Sequence, residues 1–324
     1  MGRVQTRRVL GLTFLFVVSS LLILGTQVGM GQSNMPGSNG NGSDAKPVTI
    51  PLTIKVKGTP REVELQTVDL TVLEDGDPQT ILSIRAMGTN SPLNLFVLIQ
   101  DDVVSSVGVE MRSIGNFIRS LPRGSRVSVG YVRTGTLQVR QKFTTDLDRA
   151  VKSLRVPQGV DSAAPYNPYI EVIEALKRFD SQPAGRRAIL LVSDGLDISR
   201  GVSSSAPGQS LDLQRAIAEA QRRGVAIYSF FVPTTTSLGN TTLLTNAQSS
   251  LQRLSDETGG QAFFQGRGTP TSFEPFLQEL TAALDRQIAL TYLSTHPEKG
   301  FHRVKISSSR PDVDVNYPAG YTRR

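Results

Sequence analysis

Residues 93–99 (LNLFVLI) form a nearly uninterrupted apolar run. A strand wetted on one face alternates apolar and polar side chains, so a run that is apolar at almost every position belongs to a strand covered on both faces. Val109, Ile114, Phe117, Ile118 and Leu121 then recur at helical spacing. The same alternation continues along the chain. Strands are expected at 127–132, 136–143, 188–192, 225–232 and 261–264, with Phe230, Phe231, Phe263 and Phe264 as core residues. Helical stripes run through Tyr169, Val172, Ile173, Leu176 and Phe179; through Leu213, Ala216, Ile217 and Ala220; through Ala247, Leu251, Leu254 and Thr258; and through Phe273, Phe276, Leu277, Leu280, Leu284 and Ile288. Strands separated by crossover helices predict an α/β fold, a doubly wound, mainly parallel, Rossmann-like sheet over residues 91–287.

Both flanks follow a different period. In residues 48–90, Leu52, Ile54 and Val56 alternate with Thr53, Lys55 and Lys57, and Val68, Leu70 and Val72 continue the pattern. Period two means half-buried strands, and Asp75-Gly76 between two such runs is a hairpin turn signal. Residues 288–324 return to alternation at Val304/Ile306 and Val313/Val315. A unit of about 40 residues is too small to stand alone. The two ends are therefore expected to pair into a small β appendage.

The N-terminus reads as an address. Residues 1–8 are basic, residues 9–25 are apolar, and Gly29-Met30-Gly31 offers small residues before Gln32. Residues 1–31 are thus expected to be a signal peptide or signal anchor, and residues 32–47, rich in Gly, Ser and Asn, a flexible linker. The expected location is outside the cytoplasm, as a periplasmic, cell-surface or secreted protein, touching the membrane only through an uncleaved N-terminal segment. The chain has no Cys, so neither disulfides nor thiol chemistry is available. Its two histidines, His296 and His302, read as a loop residue and a polar strand residue. A His-rich metal centre is not expected, and any metal should be held by oxygen. Nearly half of the net charge of +7 comes from Arg3, Arg7 and Arg8, and the other basic residues are scattered, so no nucleic-acid partner is expected. Glycine-rich nucleotide motifs are absent.

Ligands of parallel sheets bind beyond the carboxyl ends of the strands. After residue 99 comes Gln100-Asp101-Asp102-Val103-Val104-Ser105-Ser106, and after residue 192 comes Ser193-Asp194-Gly195-Leu196-Asp197. Together with Thr258-Gly259-Gly260-Gln261-Ala262-Phe263-Phe264, these segments resemble a von Willebrand factor type A domain. Thr71-Val72-Leu73-Glu74-Asp75-Gly76 with Pro78-Gln79, and Phe301-His302-Arg303-Val304-Lys305 with Gly320-Tyr321, resemble the exported bacterial subfamily of von Willebrand factor A-related proteins. The resemblance covers nearly all of residues 50–322.

It implies a metal-ion-dependent adhesion site, in which an Asp-x-Ser-x-Ser loop, a Thr and a second Asp hold Mg²⁺ or another divalent cation that a partner's carboxylate completes. Here Gln100 stands where the family has Asp. Starting from Asp101 or Asp102 puts Val103 or Val104 at the middle Ser, and residues 159–167 contain no Thr. Asp194 alone matches its counterpart. Candidate metal ligands are Asp101, Asp102, Ser105, Ser106 and Asp194. Candidate partner-binding residues are Gln100, Asp101, Asp102, Ser105, Ser106, Asp161, Ser162, Asp194 and Asp197. The expected function is an exported protein-interaction or adhesion module with a degenerate metal site and no catalysis. The alternatives are a structural envelope component that binds through its β layer, and a metal-dependent hydrolase using Asp101, Asp102 and Asp194, for which no base or nucleophile is evident.

Overall fold

In the computed structural model, the described residues are 45–56, 66–88, 91–159, 167–183 and 185–323. The expected signal segment, almost all of the linker, Asp161 and Ser162 lie outside them. No helix among the described residues is long and apolar enough to cross a membrane.

Thirteen strands divide between two sheets among these residues. The mixed sheet holds β4 (Leu93–Gln100), β5 (Arg126–Arg133), β6 (Thr136–Thr144), β7 (Arg186–Ser193), β8 (Ala226–Phe231) and β9 (Ala262–Phe263), in the order β6-β5-β4-β7-β8-β9. Every residue of β4 is buried, as its unbroken apolar run requires. Leu95 and Val97 share one core with Ile114 and Phe117 of α1 (Met111–Ser120) and with Leu277 and Leu280 of α6 (Glu274–Asp285). Phe96 and Leu98 point the other way. They join Val172 and Leu176 of α3 (Pro168–Lys177), Leu213 and Ile217 of α4 (Leu211–Arg223) and Leu251 of α5 (Thr241–Glu257). One short helix, α2 (Leu147–Lys152), follows β6.

The second sheet contains β1 (Lys46–Val56), β2 (Leu70–Glu74), β3 (Asp77–Ala86), β10 (Gln287–Ser294), β11 (Gly300–Ser308), β12 (Val313–Asn316) and β13 (Gly320–Arg323). Its order is β12-β1-β10-β3-β2-β11-β13, and every pairing is antiparallel. It curls into a half-barrel. The buried residues of its alternating strands, among them Leu52, Val72, Leu290 and Ile306, form a third core.

This architecture corrects the fold class expected from the sequence, a doubly wound, mainly parallel sheet with a small appendage. The antiparallel sheet is the larger of the two, with seven strands against six, and the other sheet is mixed, with β6 antiparallel to β5 at one edge. Two local causes are visible. Thr134 (φ 48°) and Gly135 (φ 67°) make a tight reversal that returns β6 antiparallel to β5 without a crossover helix. β10 is buried along most of its length and pairs on both edges, with β1 on one side and β3 on the other, which makes it an inner strand of the antiparallel sheet. Three smaller expectations also change. The last helix stops at Asp285, and Ile288, expected on its stripe, lies in β10. Val109 is 75% exposed, because the chain enters α1 through a 3₁₀ turn (Ser105–Glu110), and Phe264 is 37% exposed, because β9 ends one residue earlier.

Arg186, the first residue of β7, ties the two sheets together. It is only 6% exposed. Its guanidinium donates to Gln287 Oε1 (3.0 Å) at the start of β10, to the Leu284 carbonyl (2.7 Å) at the end of α6, and to the Ser91 carbonyl (3.0 Å).

Candidate functional site

Strands β4, β7 and β8 run parallel and in register, Ile99 beside Val192 and Val192 beside Phe230. Their carboxyl ends therefore deliver three loops to one edge. Gln100 closes β4 and is fully buried. Its Oε1 accepts from the Ser193 hydroxyl and from the Asp194 N–H (2.9 Å). Ser193 Oγ in turn accepts from the Gly195 N–H (2.9 Å).

Asp194 lies at the centre and is 2% exposed. Its Oδ1 accepts from the Leu196 N–H (3.1 Å) and its Oδ2 from the Thr234 hydroxyl (2.9 Å). Thr234 is fixed by the loop after β8, where its N–H donates to Ser237 Oγ (2.9 Å). That loop is stitched to the one after β4 by a Val103–Thr234 bridge and by the Val104 N–H on the Pro233 carbonyl (3.1 Å). Burial pushes the Asp194 carboxyl up to about 7, and the charge of Asp102 adds to the effect. The hydrogen bonds from the Leu196 amide and the Thr234 hydroxyl oppose it.

Asp101 is committed elsewhere. Both its oxygens receive the Arg155 guanidinium, at 2.5 and 2.8 Å, and Oδ1 also accepts from the Gln158 N–H (3.1 Å). Arg155 itself lies over the Tyr131 ring, 4.1 Å from its centroid. Asp197 organises the next loop, accepting from Ser199 (N–H 3.1 Å, hydroxyl 2.6 Å) and from the hydroxyl of Ser210 (2.7 Å), which caps α4. Ser105 and Ser106 are exposed and Asp102 is half-buried. The same edge carries exposed apolar side chains: Val156 (53%), Val202 (55%) and Leu238 (43%).

A divalent cation of the adhesion-site type needs several oxygens converging on one point with lone pairs to give. The residues here do not fit it. Gln100 Oε1 already serves two donors and Asp101 is neutralised by Arg155, so neither is free to join Asp194 around an ion. Val103 is fully buried in the core beneath. Nor is a nucleophile set up. The Ser193 hydroxyl donates to an amide oxygen, and His302 lies on β11 in the other sheet, bonded to Asp75 and Glu298.

Sequence reasoning missed Thr234, Ser237 and Arg155. Thr234 and Ser237 were within reach of the rule that singled out Gln100 and Asp194, since Pro233-Thr234-Thr235-Thr236-Ser237 follows a buried strand in the same way. Arg155 left no such trace, because its partner lies 54 residues earlier in the chain.

No family model matches the sequence, and no curated protein matches it. Among solved structures, the chain is similar to an aerotolerance-related membrane protein from Bacteroides fragilis, at 14% identity over 59% of this chain and 98% of that one, with a TM-score of 0.41. It is similar to BatB, a conserved hypothetical protein from Bacteroides thetaiotaomicron, at 13% identity over 59% and 98%, with a TM-score of 0.40. A third likeness is to the human COPII-coat protein Sec24c, at 12% identity over 71% of this chain and 44% of that one, with a TM-score of 0.38. Function is therefore argued from geometry alone.

Proposed function

We propose that the chain is a von Willebrand factor A-like protein-interaction module that docks a protein partner, without a bridging cation, on the carboxyl edge of the mixed sheet. One observation carries the reading. A buried polar network (Gln100, Ser193, Asp194, Thr234) braces the loops after β4, β7 and β8, and these loops carry exposed apolar and hydroxyl side chains, namely Val202, Leu238, Ser105 and Ser106, with Val156 exposed on the segment after α2. Function concentrates on loops held by a rigid frame, and a cluster of exposed apolar residues with polar neighbours is how a protein-binding patch is built. Asp194 and Asp197 act as positioning residues in this reading, and the contacts come from the rim. The basic and then apolar run at residues 1–25 supports a place outside the cytoplasm. No step of catalysis is assigned.

The test is co-purification of the partner from the envelope fraction of the source cell. Val202→Glu combined with Ser105→Arg is expected to cut recovery at least about tenfold, the scale of a lost interface anchor. Leu82→Glu, at an exposed position of β3, and added EDTA are expected to leave recovery unchanged. Loss with Leu82→Glu and not with the edge variant would move docking to the antiparallel sheet, and loss with EDTA that added Mg²⁺ reverses would restore the bridging cation.

A further inference from the structure

Glu74, the last residue of β2, is fully buried in the antiparallel sheet. Its Oε1 accepts from the Tyr321 hydroxyl (2.7 Å) and from Ser294 Oγ (3.1 Å). Its Oε2 is equally buried and makes no hydrogen bond. An orphaned carboxylate oxygen inside a protein calls for a positive partner. Around Glu74 lie the Tyr292 hydroxyl, a neutral group that is also buried without a hydrogen bond, and the two histidines that sequence reasoning had placed on a loop and a strand with no metal role.

His296 Nδ1 lies 3.8 Å from Glu74 Oε2 and is itself buried without a hydrogen bond. His302 Nδ1 lies 3.6 Å from Glu74 Oε1 and 2.8 Å from Asp75 Oδ2. The imidazole centroids are 6.0 Å apart. One atom each from Glu74, Asp75 and His302 lies within 4.8 Å of the other two. Zinc takes nitrogen and carboxylate oxygen at about 2.0–2.2 Å in a tetrahedron, which sets its ligand atoms a little over 3 Å apart, and the observed separations bracket that spacing.

The outer contacts point the same way. A metal-bound imidazole nearly always donates its other N–H to a carbonyl or carboxylate, which fixes the tautomer and aims the ring. Here His302 Nε2 lies 2.8 Å from the Glu298 carbonyl and His296 Nε2 lies 3.2 Å from Asp77 Oδ2, so both rings turn Nδ1 toward Glu74. Ser294 and Tyr321 orient the carboxylate, and Arg323 holds Ser294 (3.1 Å).

We propose that Glu74, Asp75, His296 and His302 form a binding site for one Zn²⁺-class transition-metal ion, separate from the carboxyl edge of the mixed sheet. Two imidazoles with two carboxylates select such an ion over Mg²⁺ or Ca²⁺, which take oxygen alone. Entry is from the solvent side, where the His296 and Asp75 side chains are 19% and 36% exposed. The ion would join β2, β11 and the segment after β10, and so would pin the turn at Asp75-Gly76 to the tail of the chain.

The test uses the untagged, metal-stripped full chain titrated with ZnCl₂ by calorimetry, and with CoCl₂ by visible absorption. The expected result is one Zn²⁺ per chain at micromolar concentration, a rise in Tm, Co²⁺ bands of tetrahedral intensity and no response to MgCl₂. His296→Asn, at a partly exposed loop position, is expected to weaken Zn²⁺ binding at least about tenfold. Glu74→Gln, which keeps the hydrogen bonds from Tyr321 and Ser294, is expected to do the same. Absence of stoichiometric Zn²⁺ binding by the wild type, or binding of equal strength in both variants, would overturn the proposal.

Discussion

Asp194→Asn is expected to become more stable than the wild type as the pH rises, with the gap growing to about 4 kcal/mol between pH about 4 and pH about 8. Burial lifts this carboxyl from its ordinary 3.8 to about 7 in the folded chain. Between those values the folded protein keeps a proton that the unfolded chain has released. Wild-type stability therefore falls as the pH climbs through that window and levels off above it. Asparagine has no proton to lose and should hold the network. Its carbonyl can accept from the Leu196 N–H, and the Thr234 hydroxyl, which also lies 3.3 Å from Ser237 Oγ, can reverse to accept from the new amide. His302 titrates as well. Burial lowers its pKa, but the Glu298 carbonyl and the Asp75 carboxylate raise it further, for a net upward shift. Its stabilisation is complete below its ordinary value and is lost as the pH rises through the raised one. That loss is common to both proteins and cancels in the difference. Urea unfolding of the pair across this pH range reads the gap, and a gap independent of pH would mean that Asp194 is not buried with its charge at stake.

Arg186→Met should cost about 3 kcal/mol or more in the same assay. The guanidinium is nearly sealed from water and serves Gln287 Oε1 and the Leu284 and Ser91 carbonyls. Burial pulls its pKa below the usual arginine value, and Tyr228 and Asp285 hold it back up. A methionine of similar length fills the space and leaves those acceptors without donors in a dry interface, which is what makes the loss large. The hydrogen bonds join the start of β7 to the end of α6 and the start of β10, so the cost falls on the contact between the two sheets. Arg186→Lys should recover part of it, since an ammonium can serve some of the three acceptors but cannot fork to all. A change below about 1 kcal/mol for Arg186→Met would mean that the sheets are held by packing alone.

What the sequence made legible was local. The unbroken run at 93–99 became β4, buried at every position, and Asp75-Gly76 became the β2–β3 turn, with φ at 51° and 103°. What stayed hidden depended on partners distant in the chain. Period two at Val304/Ile306 and Val313/Val315 announces strands but not their neighbours, and so the size of the antiparallel sheet was missed. The fork of Asp101 on Arg155 and the approach of His302 to Asp75 span 54 and 227 residues, and neither leaves a spacing to read. At the candidate site the chemistry was half visible. Val103 in place of a hydroxyl already weakened the case for a cation, whereas Thr234 completing the shell of Asp194 emerges only when β7 and β8 lie side by side.

The central claim is that the carboxyl edge of the mixed sheet works without a cation. Its most direct test is Mn²⁺ binding followed by electron paramagnetic resonance in a background that combines His296→Asn, Glu74→Gln and His302→Asn, which removes three of the four ligands proposed for the antiparallel-sheet cluster. The expected spectrum at millimolar Mn²⁺ is that of the free ion, the same with Asp194 and with Asp194→Asn. One bound Mn²⁺ per chain that disappears in Asp194→Asn would contradict the account.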